Sequence, residues 1–339
     1  MSCPLLMVSG LARADDLVLD RFGGYLDSLR TQAGIPGLAA VVVSGSDIAW
    51  ERGFGNQDLA RSLPVRPDTP FHLDGLTQTL AASLLLRCVE EGRLSLDDRV
   101  GRFWRSVPEP EATIRQLLTH TDASGAFRYR AERLDPLGYV IAACTGESYR
   151  SRLAQVFDTL AMINSVPGPD AAQQPPDAVF TPPLLARYRS VLDGLATPYA
   201  VDSRKRAWVS QYTVSTLLAS AGVVSTARDL AQFVLGLGRG LLLRPETLAQ
   251  AWRAPLGPDG RTLPHGLGWF VQTYNGETVV WQFGMQANAS SSLVVTVPGR
   301  GLTLILLANS DGLSRPFPLA GGDVTTSVFA KLFLALFVR

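Results

Sequence analysis

The stretch 71-FHLDGLTQTL-80 decides how this chain is read. Phe71 and Leu73 lead into a periodic pattern in which Leu76, Leu80, Leu84 and Val89 recur at helical spacing, ending near Gly92. At the head of a helix starting here, two positions one turn apart share a face. Those two positions are Gly75 and Gln78. Neither supplies a nucleophile or a base.

Outward from this helix, strand patterns stand at both ends of the chain. GLAAVVVSG (37–45) and IAWERGFGN (48–56) form a hairpin across a Ser-Gly-Ser-Asp turn. GETVVWQFG, SSLVVTVPG and GLTLILLANS (276–310) are further strands, with Pro298-Gly299 turning the last two. Between these ends lie helical stretches: TIRQLLTH, LDPLGYVIAACTG closed by Gly146, and TARDLAQFVLGLG, capped by Ser225 or Thr226 with Asp229 in its first turn. The proline-rich stretch 164–183 reads as a wandering loop or linker, and DVTTSVFAKLFLALFVR as a closing amphipathic helix. The expected fold class is α+β: an antiparallel sheet from both termini (15–70 and 255–339) flanked by helices, with a mostly helical insertion at 71–254.

Composition narrows the function. The 339 residues, 46% hydrophobic and 18% charged, describe an ordinary globular chain. A net charge of +1 argues against nucleic acid or an anionic membrane as partner, and no apolar run is long enough for a membrane span. Cys3, Cys88 and Cys144 are too scattered for a zinc site or a disulfide framework, so Cys88 and Cys144 read as buried core thiols. His72, His120 and His265 lack ligand partners at metal spacing, so neither metal nor cofactor is expected. Ala12-Arg13-Ala14 looks like a signal-peptidase site without a basic n-region. Residues 1–14 are thus either the remnant of an export signal or a lead-in to the first helix, with a lean towards export.

Taken in order, GIPGLAAVVVSG (34–45), FHLDGLTQTL, EEGRLSLDDRVGRFW (90–104), ATIRQLLTHTDASG (112–125), SAGVVSTARDLAQFV (220–234), GLGWFVQ (266–272) and WQFG (281–284) resemble the serine β-lactamase and penicillin-binding-protein superfamily, in its class C β-lactamase and esterase-like branch. The resemblance covers nearly the whole chain. It implies a Ser-x-x-Lys at the helix head, a Tyr-x-Asn on a loop, a Lys-Thr-Gly or His-x-Gly on an edge strand, and an oxyanion hole of backbone amides. On this chain the pattern falls on Gly75 and Gln78, on Tyr129 with Ala131, and on Gln282 with Gly284. Tyr129 alone survives of the polar catalytic groups. The only lysines are Lys205 and Lys331, preceded at three residues by Asp202 and Val328, so no Ser-x-x-Lys exists in any register.

The resemblance leaves three readings open: a pseudoenzyme that binds a small acyl or carboxylate ligand, a rewired enzyme acting through Tyr129, Asp74 or His72, and an interaction protein with a vestigial cleft. For the first, the amides of Gly75 and Met285 are expected to hold a carbonyl, and Asp74, Gln78, Tyr129, Arg130 and Gln282 to line the cleft. Arg130 would replace the lost strand cation, or pair with Glu132 in solvent. Asp74 is expected to cap the helix, and His120 to be a satisfied core histidine.

Overall fold

The computed structural model describes residues 8–338. Residues 1–7 of the proposed signal remnant at 1–14 lie outside them, and residues 8–14 fall within the first helix. Helices α1 (Val8–Ala33), α2 (Thr77–Glu90), α3 (Ile114–Leu118), α4 (Leu137–Thr145), α5 (Tyr149–Thr159), α6 (Pro182–Asp193), α7 (Ala227–Gly238), α8 (Pro245–Ala251) and α9 (Val328–Phe337) surround the strands. The strands are β1 (Gly37–Ser44), β2 (Asp47–Asp58), β3 (Leu63–Pro64), β4 (Phe71–His72), β5 (Tyr199–Val201), β6 (Ala207–Val209), β7 (Val224–Ser225), β8 (Phe270–Tyr274), β9 (Glu277–Gln286), β10 (Ser290–Val297) and β11 (Leu302–Ala308). Among them a seven-stranded antiparallel sheet runs β3-β2-β1-β11-β10-β9-β8, which joins the two ends of the chain at its centre.

The sheet is covered on both faces, so its central strands are apolar on both. Leu38, Ala40 and Val42 of β1 and Leu304 and Leu306 of β11 pack with Phe22 and Leu26 of α1 and Phe329 and Phe333 of α9. The alternate residues Ala39, Val41, Ile305 and Leu307 turn to the opposite core, with Leu80 and Leu84 of α2 and Leu230 of α7. Period-two alternation thus divides one pair of strands between two hydrophobic cores.

Helix ends follow local chemistry. Thr113 and Gln116 form a capping box on α3, Thr226 caps α7 by accepting from the Asp229 amide, and Gly146 closes α4 at φ 74°. Two expectations need correction. Cys88 of α2 and Cys144 of α4 are joined in a disulfide, because the two helices pack with these residues facing each other and bring their Cα atoms to 6.4 Å. The 164–183 stretch is no free linker. The Val166 amide and carbonyl pair with Val224, Ala171 and Ala172 are buried, and Pro182 already begins α6. No described helix is long and apolar enough to cross a membrane.

Candidate functional site

Residues Asp74–Leu76 make one turn of 3-10 helix that runs into α2. Asp74 sits at φ 49°, a left-handed conformation uncommon outside glycine. Its carboxylate does not cap the helix. The carbonyls of Asp74 and Gly75 already accept the Thr77 amide, and the side chain turns instead to the sheet. There Ser290 Oγ–H donates to it at 2.8 Å and Gln286 Nε2–H at 3.3 Å. The two donors face each other because Ser290 and Gln286 are register partners on β10 and β9. Burial pushes the Asp74 carboxyl up to about 7 against the pull of these two bonds.

Gly75 stands where β9 comes closest. A Cβ on it would lie 2.4 Å from the Phe283 carbonyl oxygen and 3.3 Å from Gly284 Cα. The approach is mutual: a Cβ on Gly284 would lie 2.3 Å from Ser292 Oγ, 2.4 Å from the Leu73 carbonyl and 2.7 Å from the Gly75 amide nitrogen. Ser292 Oγ–H donates to that same Leu73 carbonyl at 2.7 Å. Strand and helix head therefore meet backbone to backbone, with no space for a side chain between them.

Gln78 is fully buried and tied into a neutral relay. The Arg130 amide donates to His120 Nδ1 at 3.4 Å, which leaves the ring proton on Nε2. That proton is shared with Gln78 Oε1 at 3.2 Å, and Gln78 Nε2–H donates to the Tyr129 hydroxyl at 2.9 Å. Burial, helped by His265 and Arg133, holds the His120 pKa well below its usual value. Burial likewise raises that of the Tyr129 phenol, opposed by the Gln78 bond. The Gln78 amide accepts from His120 with its oxygen and donates to Tyr129 with its nitrogen. This relay carries no charge.

The cleft in front of these groups has a volume of about 400 Å³, and Asp74, Gly75, Tyr129, Ala131 and Met285 all line it. Three expected lining residues do not. Gln78 lies behind Tyr129. Gln282 is buried on the other face of β9, where its Nε2–H reaches the Gly268 carbonyl at 3.4 Å and its Oε1 accepts the Phe283 amide at 2.9 Å. Arg130 points away into solvent and pairs with Glu109 at 3.3 Å, beside a separate cavity near Trp104. Glu109 also holds the buried Arg133 at 2.8 Å. Tyr129 and Arg130 are neighbours in an extended segment, so when one faces the cleft the other faces out.

The sequence reading missed three groups. Gln286 and Ser290 hold Asp74, and the β9–β10 register was the signal that would have paired them. Arg315 lines the far wall of the cleft, donating to Asp311 at 3.1 Å and to Asn288 Oδ1 at 3.0 Å. Residues 210–223, without helix or strand, cross the mouth and are fastened by the Thr213 amide and hydroxyl to Gln286 Oε1.

Comparison with known proteins gives a consistent result. The β-lactamase family model matches residues 22–322. A putative penicillin-binding protein of Bacillus subtilis, PbpX, is 22% identical over 81% of this chain and 71% of its own length. An esterase of Burkholderia gladioli, EstB, is 32% identical over 31% of this chain, the match spanning only 29% of the esterase. The structure of an octameric penicillin-binding protein homologue from Pyrococcus abyssi superposes with a TM-score of 0.74 at 18% identity, covering 94% of this chain and 77% of that one.

Proposed function

Since the chain belongs to the β-lactamase family, we propose that it is a member without the family's covalent chemistry, a pseudoenzyme whose cleft holds a small organic ligand reversibly. The observation that carries this reading is Gly75. The position of the nucleophile has no side-chain oxygen, and the Phe283 carbonyl stands 2.4 Å from where a side chain would begin. The lysine position supports it too, because Gln78 is consumed in a neutral relay and its amide cannot take up a proton as a base must. An open cleft of about 400 Å³ favours binding over a collapsed, vestigial site. A bridge between Cys88 and Cys144 is the chemistry of an oxidising compartment and supports export.

The test is intact mass spectrometry after incubation with benzylpenicillin, a cephalosporin and a fluorophosphonate. No adduct is expected. A stoichiometric adduct mapped to the cleft overturns the reading. One observation favours a second reading, the rewired enzyme: Asp74 is a buried carboxyl lining the cleft with its pKa near 7, where a general base works best. Slow ester hydrolysis without any acyl-enzyme, lost in Asp74→Asn, would establish it.

A further inference from the structure

We propose that the ligand of this cleft carries an amine, and that its ammonium group docks on Asp74. The inference rests on the cleft being a reversible binding site and names the chemistry of what it binds.

The charges lining the cleft are Asp74 and Arg315. Arg315 is already matched, because Asp311 lies 3.1 Å from its guanidinium and Asn288 takes the same nitrogen. Arg130, the other cation expected here, belongs to Glu109. The Asp74 carboxylate meets only neutral donors, the Ser290 hydroxyl and the Gln286 amide, and among the described residues no cation reaches it. The unmatched charge of the cleft is therefore negative. A carboxylate ligand would face it with no free counter-charge, whereas an ammonium would complete it.

The walls suit the same ligand. Tyr129 and Phe283, with ring centroids 5.3 Å apart, form an aromatic wall with Phe317 nearby. Ring faces attract a cation and also accept the apolar body of an amine. Asp74 is held at φ 49° by two side-chain bonds, so it is positioned before any ligand arrives.

Other groups around Asp74 leave its charge alone. Tyr212 on the mouth segment gives its hydroxyl proton to the Ala196 carbonyl, and burial keeps the phenol protonated. His72, stacked on Tyr212 at 4.1 Å, is neutral because burial lowers it to about 4. Tyr129 stays neutral across the cavity. The Arg315–Asp311 pair carries no net charge. With its pKa near 7, Asp74 must release a proton to receive an ammonium at pH 6, and none at pH 8.

Titration calorimetry with matched probes tests this: benzylamine and phenethylamine against benzoate and 3-phenylpropionate, at pH 6 and pH 8. The amines are expected to bind and the acids not. Amine affinity should rise about tenfold from pH 6 to pH 8, as the ionised fraction of a group with pKa near 7 does. At pH 6, paired buffers of different ionisation enthalpy should report release of close to one proton on wild-type protein. Asp74→Asn, a residue tolerant of the left-handed backbone, should weaken amine binding at least tenfold at pH 8, and Arg130→Gln, whose guanidinium pairs with Glu109 outside the cleft, should leave it unchanged. Tighter binding of the acids, an amine affinity equal in Asp74→Asn, or no amine binding at all would overturn the proposal. None of these results would produce a covalent adduct, so failure here is distinct from failure of the pseudoenzyme reading.

Discussion

At Gly75 a missing side chain and a missing space coincide. Restoring chemistry by Gly75→Ser would force a Cβ against the Phe283 carbonyl, and backbone cannot yield as the tip of a side chain does. Both Gly75→Ser and Gly75→Ala are expected to lose roughly 1–3 kcal/mol by denaturant titration, with no gain of esterase activity in the serine variant. A serine variant as stable as wild type would show that β9 can retreat. The glycine and glutamine were legible in the sequence because the surrounding frame fixes their positions. The directions of Arg130 and Asp74 were not. Arg130 is one residue from Tyr129 in an extended segment, and only the packing of Tyr129 against Phe283 in the cleft wall decides which of the two faces in. Asp74 stood where a cap would stand, but the 3-10 turn ahead of α2 removed the need for one.

Among the elements, α2, which carries Gln78, is tied to α4 by chemistry that spacing alone did not show. Cys88 and Cys144 lie 56 residues apart, and each falls in an apolar helical stretch that is equally consistent with a free thiol. Their pairing emerges only when α2 and α4 pack. Closing a loop of this length restricts the unfolded chain by about 4 kcal/mol in the chain-entropy account. Reduction with dithiothreitol, or Cys144→Ala, is therefore expected to lower the melting temperature by many degrees. A shift under one or two degrees would mean that the bridge is absent in solution. Hairpin β1–β2, strands β9 to β11 and the caps of α3 and α7 were legible, since turn residues and period-two alternation are local signals. Helices α5, α6 and α8 and the β5–β6 hairpin were not legible; for α6, Pro182 and Pro183 read as loop residues, although proline is well suited to the first turn of a helix.

Over the whole molecule, all three histidines are buried and held neutral. Burial lowers His72 and His265 to about 4 and His120 well below its usual value. Each contributes stability that is present above the unfolded value near 6.5 and is lost as pH falls towards the folded value. Asp74 works in the opposite direction. Its raised pKa gives stability at low pH that is lost as pH rises from about 4 through about 7. Asp135 and Asp229, raised by burial, act in the same direction as Asp74 and narrow the margin at the acid end. At pH 5–6 the three histidines outweigh Asp74, and each unbalanced proton is worth about 1.4 kcal/mol per pH unit. The melting temperature should fall steeply from pH 6.5 to pH 5 and change little from pH 7 to pH 8. A melting temperature that rises on acidification to pH 5 would contradict this assignment.

The sheet that joins both ends of the chain also sets a timetable for its synthesis. The Gly37 amide donates to the Asn309 side chain across 272 residues, and β1 finds β11 along its full length. At translation rates of about 5–20 residues per second, β1 waits on the order of 15–50 s for its partner. During that interval Leu38–Val43, wholly buried in the finished protein, presents an unpaired apolar edge. Such long-range pairing makes folding slow, so the yield of native protein in a cell depends on what shields this edge while the ribosome is still working.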